Sequence, residues 1–229
     1  IYVAFPIAEP SGALAQYHSK EEPLRVSIWT TTPWTMPANL SIAVNSELDY
    51  SVVTHAKTGK LLVATDLVET LAKKFDLPEG EKLEVLVTMK GAELVGSTYS
   101  HPLYDRKAPV LAGGDYITTE SGTGLVHTAP GHGQEDYLTG LKNGLEILSP
   151  VDDLGRFTIE AGERFKGMDV LGDGNIAIMD ALQEVGALLK AEDYGHKYPY
   201  DWRTNKPTIF RSTDQWFASV EGFRDAALE

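Results

Sequence analysis

The sequence predicts a mainly β fold with helical decorations, built of short strands in the manner of a barrel or sandwich. Three observations point there. Short runs of alternating apolar and polar residues recur along most of the chain, separated by glycine, proline and aspartate. Helical periodicity is confined to a few stretches. The 229 residues, 42% of them hydrophobic, suffice for one good-sized core, or one core with a smaller appendage.

The elements follow in order. IYVAFPIAEP, at the start, reads as a strand already under way, and FRDAALE, ending at Glu229, reads as a helix still running. With no methionine at its start, the chain is expected to be an excised piece of something longer. LRVSIW (24–29) and LSIAV (40–44) alternate as strands on either side of a polar stretch, and DYSVVTH, AKTGK and LLVAT form a hairpin. Asp66 is placed to cap a short helix reaching Phe75, with Glu69 three residues on completing a capping box. KLEVLVTMKG, APVLAG, DYITTE and GTGLVHTAP read as further strands. A helix starts near Gly133, and a longer one spans 174–192, with Ile176, Met179, Leu182 and Val185 as a stripe for core packing. The last stretch, HKYPYDWRTNKPTIFRSTDQWFAS, is aromatic, basic and proline-broken, and reads as a connector; the expected division is 1–195 and 196–229. There is no internal repeat or low-complexity segment.

Composition excludes several function classes. A net charge of −13 argues against a broad basic face for duplex nucleic acid, while leaving room for contact with a short single-stranded end. Basic residues gather at Lys73 and Lys74, around Arg156, Arg164 and Lys166, and in the tail at Lys197, Arg203, Lys206 and Arg211, mostly as ordinary solvated surface. Without cysteine there are no disulfides and no thiolate metal sites. No apolar run approaches the roughly 20 residues of a membrane span, and the start does not read as a secretory signal. The cytosol is the expected compartment, an organelle remaining open.

Two segments carry chemistry. IWTTTPWTMPAN (28–39) holds four threonines, too polar for a core strand and too hydrophobic for a linker. GTGLVHTAPGHGQEDY (122–137) runs a strand ending at His127 through a glycine-rich loop into a helix whose first turn carries Glu135 and Asp136. His127 and His132 lack a metal-ligand spacing such as the HExxH helix. A phosphate cradle lacks the lysine and hydroxyl of a P-loop, and the acidic first turn would repel it. A carboxylate here suits a cation better, such as a substrate ammonium. Each residue also has a plainer account: helix-dipole acids, threonines satisfying local backbone, a hydrogen-bonded core histidine.

Together the two segments resemble the paired signatures of the editing domain inserted into class I isoleucyl-tRNA synthetases, and the resemblance covers the whole chain. Valyl and leucyl relatives carry an arginine in a TTRPxT motif, whereas TTPWT here has Pro33 and Trp34, which favours the isoleucyl branch. The resemblance implies a closed, mostly antiparallel β-barrel core with helices, residues 1–195 being the editing domain and 196–229 the segment returning to the catalytic domain. It implies hydrolysis of valyl-tRNA(Ile) by water attack on the aminoacyl ester, with the tRNA 3′ CCA end and the rest of the synthetase in cis as partners. Thr31 and Thr32 would contact the ester and terminal ribose, and Thr30 would support the loop or share that role. Trp29 would help form the adenosine pocket, Thr35 and His127 the side-chain pocket, and Asp136 would bind the α-ammonium. Some relatives hold zinc through cysteines in the return segment; YPYDWRTNK has none, so no metal and no cofactor are expected. The isolated domain is expected to be a monomer off the membrane. The alternatives are a module that only binds the aminoacyl-tRNA end, and the editing domain of a valyl or leucyl relative.

Overall fold

The computed structural model describes residues 1–228; Glu229, the end of the FRDAALE pattern, lies outside the described residues. Ten strands are formed: β1 (Tyr2–Glu9), β2 (Arg25–Trp29), β3 (Ser41–Val44), β4 (Asp49–His55), β5 (Gly59–Ala64), β6 (Glu84–Lys90), β7 (Thr98–Ser100), β8 (Lys107–Ala112), β9 (Val126–Thr128) and β10 (Leu188–Lys190). Helices α1 (Val68–Lys74), α2 (Gln134–Asn143), α3 (Asp173–Glu184) and α4 (Arg224–Leu228) decorate them. The mainly β class read from the strand spacing is therefore the observed one.

The strands hydrogen-bond in the order β6-β4-β5-β2-β1-β7-β8-β3-β9, with β10 on β1. Pairing is antiparallel except for β2 with β5 and β3 with β8. β1 is the hinge of the sheet: Tyr2 to Pro6 pair with β2, and Ile7 and Glu9 pair with β7 across a register shift. Pro6 sits beside that switch, where the amide it cannot donate is least missed. Phe5 packs edge-on against Tyr99 at 5.2 Å and against His101 at 5.6 Å, so β1 and the β7 end share one core with Ile28, Ile42, Tyr50, Leu61 and Leu62, all fully buried.

Several expectations give way. Among the described residues no ladder joins the end strands β6 and β9, so the path is open where a closed barrel was expected. The cause is local. Gly122 and Gly124 adopt φ of +77° and +76°, which cuts the 122–130 strand to the three residues of β9. Among the described residues a single backbone bond, Ala64 N–H to Thr123 O at 2.8 Å, joins the end of β5 to the chain entering β9. DYITTE forms a turn after Gly113 and Gly114, with Ile117 N–H bonded to Gly114 O, and not a strand. Asp66 does not cap α1: it lies inside a 3-10 turn, Thr65–Leu67, and its carboxylate accepts from Thr119 Oγ1 at 3.3 Å.

The helix expected over 174–192 stops at Glu184. Gly186, at φ +68°, turns the chain back so that Leu188–Lys190 can pair with β1. Its buried face is Gly174, Ile178, Ala181 and Leu182, while Ile176 and Val185 are 57% and 55% exposed. A series stepping only by three drifts about 60° per step around a helix of 3.6 residues per turn, so its ends cannot share a face. Gly174, Ile178, Ala181 and Leu182, at i, i+4, i+7 and i+8, keep one face.

The glycines before β9 set the approach of the strand that carries His127. A Cβ on Gly124 would stand 2.3 Å from the Ala64 Cβ, in a conformation L-residues avoid. Gly124→Ala is therefore expected to cost about 1–3 kcal/mol, read as a fall in melting temperature by calorimetry. Gly12→Ala, with nothing within 4 Å, should be close to neutral. Equal melting temperatures for the two variants would contradict this reading.

Candidate functional site

The threonine segment joins β2 to β3. β2 ends at Trp29, and Pro33–Ala38 winds into a fully buried 3-10 turn with Pro33 at its first position, where a missing N–H costs nothing. A buried turn must satisfy its carbonyls. His101 Nε2 donates to Met36 O at 2.9 Å, and Arg106 donates to Pro37 O at 3.0 Å and to Asn39 O at 2.8 Å. From the other side Asn175, at the start of α3, accepts from Trp34 N–H at 3.0 Å.

The hydroxyls divide into two sets. Thr30 is buried, and its Oγ1 accepts from Thr32 N–H at 3.1 Å and lies 3.2 Å from Thr32 Oγ1. Thr35 Oγ1 donates to Thr32 O at 2.9 Å. Thr31 and Thr32 are half-buried and line a cavity of about 290 Å3.

His127 faces the same cavity from β9, where it pairs opposite Ile42 of β3. Its Nε2 is 2.9 Å from Thr35 Oγ1 and its Nδ1 is 2.8 Å from Asn39 Nδ2. The Asn39 amide nitrogen also donates to Ser41 O at 3.0 Å, and its Oδ1 accepts from Tyr99 OH at 2.6 Å. An amide nitrogen can only donate, so His127 Nδ1 is the acceptor and the ring proton sits on Nε2, directed at Thr35 Oγ1. Burial pushes the His127 imidazole down to about 3, with His101 and His132 adding to it, so the ring is neutral near pH 7.

Asp136 enters from the first turn of α2. Its Oδ2 accepts from Ala129 N–H at 2.9 Å, curling the carboxylate back over the loop. Gly133 leaves room for this, since a Cβ there would stand 3.1 Å from the carboxyl carbon. Burial pushes the Asp136 carboxyl up to about 6, against the pull of the Ala129 amide. It is a desolvated carboxylate with a spare oxygen and no cation beside it among the described side chains, which is the state a cationic ligand would relieve.

Trp29 closes the cavity on the outer side. Its indole lies against Gly122, where a Cβ would meet the ring at 3.2 Å, and against Tyr194, edge-on at 5.0 Å. All of Trp29, Thr30, Thr31, Thr32, Thr35, His127 and Asp136 thus border one cavity, together with Val126 and His132. His132, weighed from sequence only as a metal ligand, donates from Nδ1 to Phe210 O at 2.9 Å, and its Nε2 has no partner among the described residues. Asn39, Tyr99, His101 and Arg106 escaped sequence reading; Asn39, two residues after the second proline, is the one the threonine segment itself contained. Among the described residues no cluster of three or more His, Asp or Glu side chains is arranged to hold a metal, and no helix is long and apolar enough to cross a membrane. Three larger recesses, of about 670, 630 and 410 Å3, lie elsewhere, one between Asp152, Asp169 and Arg211, one along Val68, Leu77 and Leu83, and one around Glu22, Thr54 and His55. The first two have no imidazole on their walls, and in the third His55 is already paired with Glu81 and Glu22 with Lys60, so size does not mark the candidate site.

Known proteins resemble the chain in sequence and in fold. Over its whole length the chain is 60% identical to the isoleucine–tRNA ligase of Microcystis aeruginosa and 59% identical to that of Nostoc punctiforme, spanning 23% and 24% of those proteins. No protein-family profile matches it. Among solved structures it is similar to the cytosolic leucyl-tRNA synthetase editing domain of P. falciparum, at a TM-score of 0.61 and 12% identity over 83% of this chain and 99% of that one. The corresponding domain of P. knowlesi gives 0.59 and 11% over 92% and 96%. At such identities the structures speak for the fold alone, and the ligases supply the kinship. The chain belongs to the isoleucine–tRNA ligase family, spanning about a quarter of its curated relatives, and has the fold of a class I synthetase editing domain.

Proposed function

We propose that the 290 Å3 cavity is a hydrolytic proofreading site that removes valine from valyl-tRNA(Ile). The observation that carries this reading is the meeting of the threonine loop, the Thr35–His127 pair and the desolvated Asp136 in one cavity. The chemical need is plain. A pocket for isoleucine cannot strongly refuse valine, since one methylene is worth only about 1–3 kcal/mol; this discrimination is the standard illustration of that limit. In this reading residues 1–195 form the editing domain and 196–229 lead back to the synthetase body, with the tRNA 3′ end and that body as partners.

The roles follow from the contacts. Asp136 binds the α-ammonium with its spare oxygen, which fixes the ester carbonyl relative to the cavity wall. Thr31 and Thr32 hold the ester and terminal ribose, while Thr30, bonded to Thr32 N–H, shapes the loop. Thr35 and His127, locked to each other, form a wall that accepts valine and crowds isoleucine. Trp29 borders the terminal adenosine. No serine or cysteine lines the cavity, so water attacks the ester directly and catalysis is chiefly placement.

The decisive assay follows valine release from valyl-tRNA(Ile) by the chain. Because the Asp136 carboxylate also holds Ala129 N–H, Asp136→Asn is a sharper variant than alanine: an amide oxygen can keep that bond while the charge is lost. A bond to a charged group is worth about 1.5–3 kcal/mol, so the rate should fall by about 10- to 150-fold at unchanged melting temperature. A wild-type rate in Asp136→Asn removes Asp136 from the reading, and a chain that binds the substrate without releasing valine is a binding module only.

Acid should weaken the reaction. Asp136 must be ionised to hold an ammonium, and burial raises its carboxyl to about 6, so kcat/KM should drop on the acid side of about pH 6. The bound cation draws the carboxyl back down, which sets the limb in kcat at lower pH than the limb in kcat/KM. Asp136→Asn should abolish the limb; its persistence would assign it to another group.

The wall makes a separate claim. Thr35→Ala or His127→Ala should admit the extra methylene and release isoleucine from isoleucyl-tRNA, shifting the valine-to-isoleucine ratio by up to about 10- to 200-fold. An unchanged ratio in both variants, at matched folding, would leave these two side chains as structure only.

A further inference from the structure

An aromatic ladder leaves the cavity on the side of Trp29. From Trp29 the rings run to Tyr194 at 5.0 Å, then His196 at 6.0 Å, Tyr198 at 6.0 Å and Tyr200 at 6.4 Å. The last four alternate with other residues along a stretch outside any strand ladder, which carries them on one side of an extended backbone. Tyr194 and Tyr200 are 49% and 61% exposed, and Trp202, with the Arg203 guanidinium 4.8 Å from its ring, is 78% exposed. A soluble chain rarely leaves so many rings uncovered in one row without something to cover them. The charge points to the occupant. In a chain of net charge −13, residues 194–206 hold Lys197, Arg203 and Lys206 against Asp201, while Arg211 beyond them is already paired with Asp153.

We propose that the exposed faces of the Tyr194–Tyr200 ladder, whose successive ring planes cross at 31°, 77° and 86°, stack against the unpaired nucleotides next to the terminal adenosine. Rows of aromatic rings beside basic side chains are how single strands are held without sequence readout. The ring spacing suits a drawn-out strand, being well over the roughly 3.4 Å per nucleotide of stacked duplex. The ladder starts at the residue that borders the terminal nucleoside in the proposed reading, so a strand leading into the cavity passes over it. A protein segment as the occupant would leave the basic excess unused.

The inference rests on the proofreading reading, and the test separates the two by using two substrates. One is valyl-tRNA(Ile); the other is the valyl ester of adenosine, which fills the cavity and reaches no further. Tyr200→Ala and Tyr198→Ala should each raise KM for valyl-tRNA by about 5- to 150-fold, the loss that follows removal of one base–aromatic stack. Both should hydrolyse valyl-adenosine as the unaltered chain does. Tyr200→Phe, which keeps the ring and loses the hydroxyl, should restore KM on valyl-tRNA, a rescue that a hydrogen-bonding role would not give. Equal KM values on valyl-tRNA for the alanine variants and the unaltered chain would overturn the track and assign the ladder to a protein partner. Parallel losses on both substrates would overturn it too, as damage to the cavity. An unaltered chain that releases valine from neither substrate would instead overturn the proofreading reading on which the track depends.

Discussion

One buried imidazole holds the arrangement together. His127 is bonded on both ring nitrogens, to Asn39 on one side and Thr35 on the other, and Asn39 is fixed in turn by Tyr99 and Ser41. The relay therefore ties β7, β3, β9 and the threonine turn to a single point. Each donor in it has one acceptor, and the whole is satisfied only with the ring proton on Nε2. Break it and three buried polar groups lose partners at about 1–3 kcal/mol each. The wall proposed to sort valine from isoleucine is thus also a structural joint, which is why its two side chains can be rigid enough to sort by one methylene.

A second constraint is the corner that presents Asp136. Gly133 opens space for the carboxylate to fold back on Ala129 N–H, and burial then makes its charge costly. The fold keeps that charge poorly solvated and leaves one oxygen free. Such a group gains more from meeting an ammonium than an exposed carboxylate would, since part of its desolvation has already been met by folding. Glu135, its neighbour in the first turn, is exposed. Two adjacent acids thus differ in burial and in the backbone amide that Asp136 alone holds.

Much of this was legible in the sequence, in proportion to how local each feature is. The β4–β5 hairpin, β2, β3 and α2 follow from short-range alternation, turn residues and a glycine before an acidic turn. The α3 stripe misled because stepping by threes ignores the drift of a helix, and its C-terminus was overrun because the Gly186 reversal depends on β1 offering a free edge to Leu188–Lys190. The open sheet could not be read either, as it depends on two glycines taking positive φ just where β9 would need to lengthen. Of the cavity, all seven residues named from the motifs converge, but the supports did not show. His101, Arg106 and Tyr99 lie about 60 to 70 residues from the carbonyls and amide they serve. No local pattern links them, because only the fold brings a donor to each buried carbonyl.

The relay stands or falls with the protonation state of His127, which nitrogen chemical shifts of the labelled imidazole report. The expected result at pH 7 is an unprotonated Nδ1 and a protonated Nε2, unchanged on acidification to pH 5, since burial holds the ring near 3. A proton on Nδ1, or a ring that titrates near its ordinary 6.5, would mean that the Tyr99–Asn39–His127–Thr35 relay does not exist in solution and that the threonine turn is held to β9 by something else.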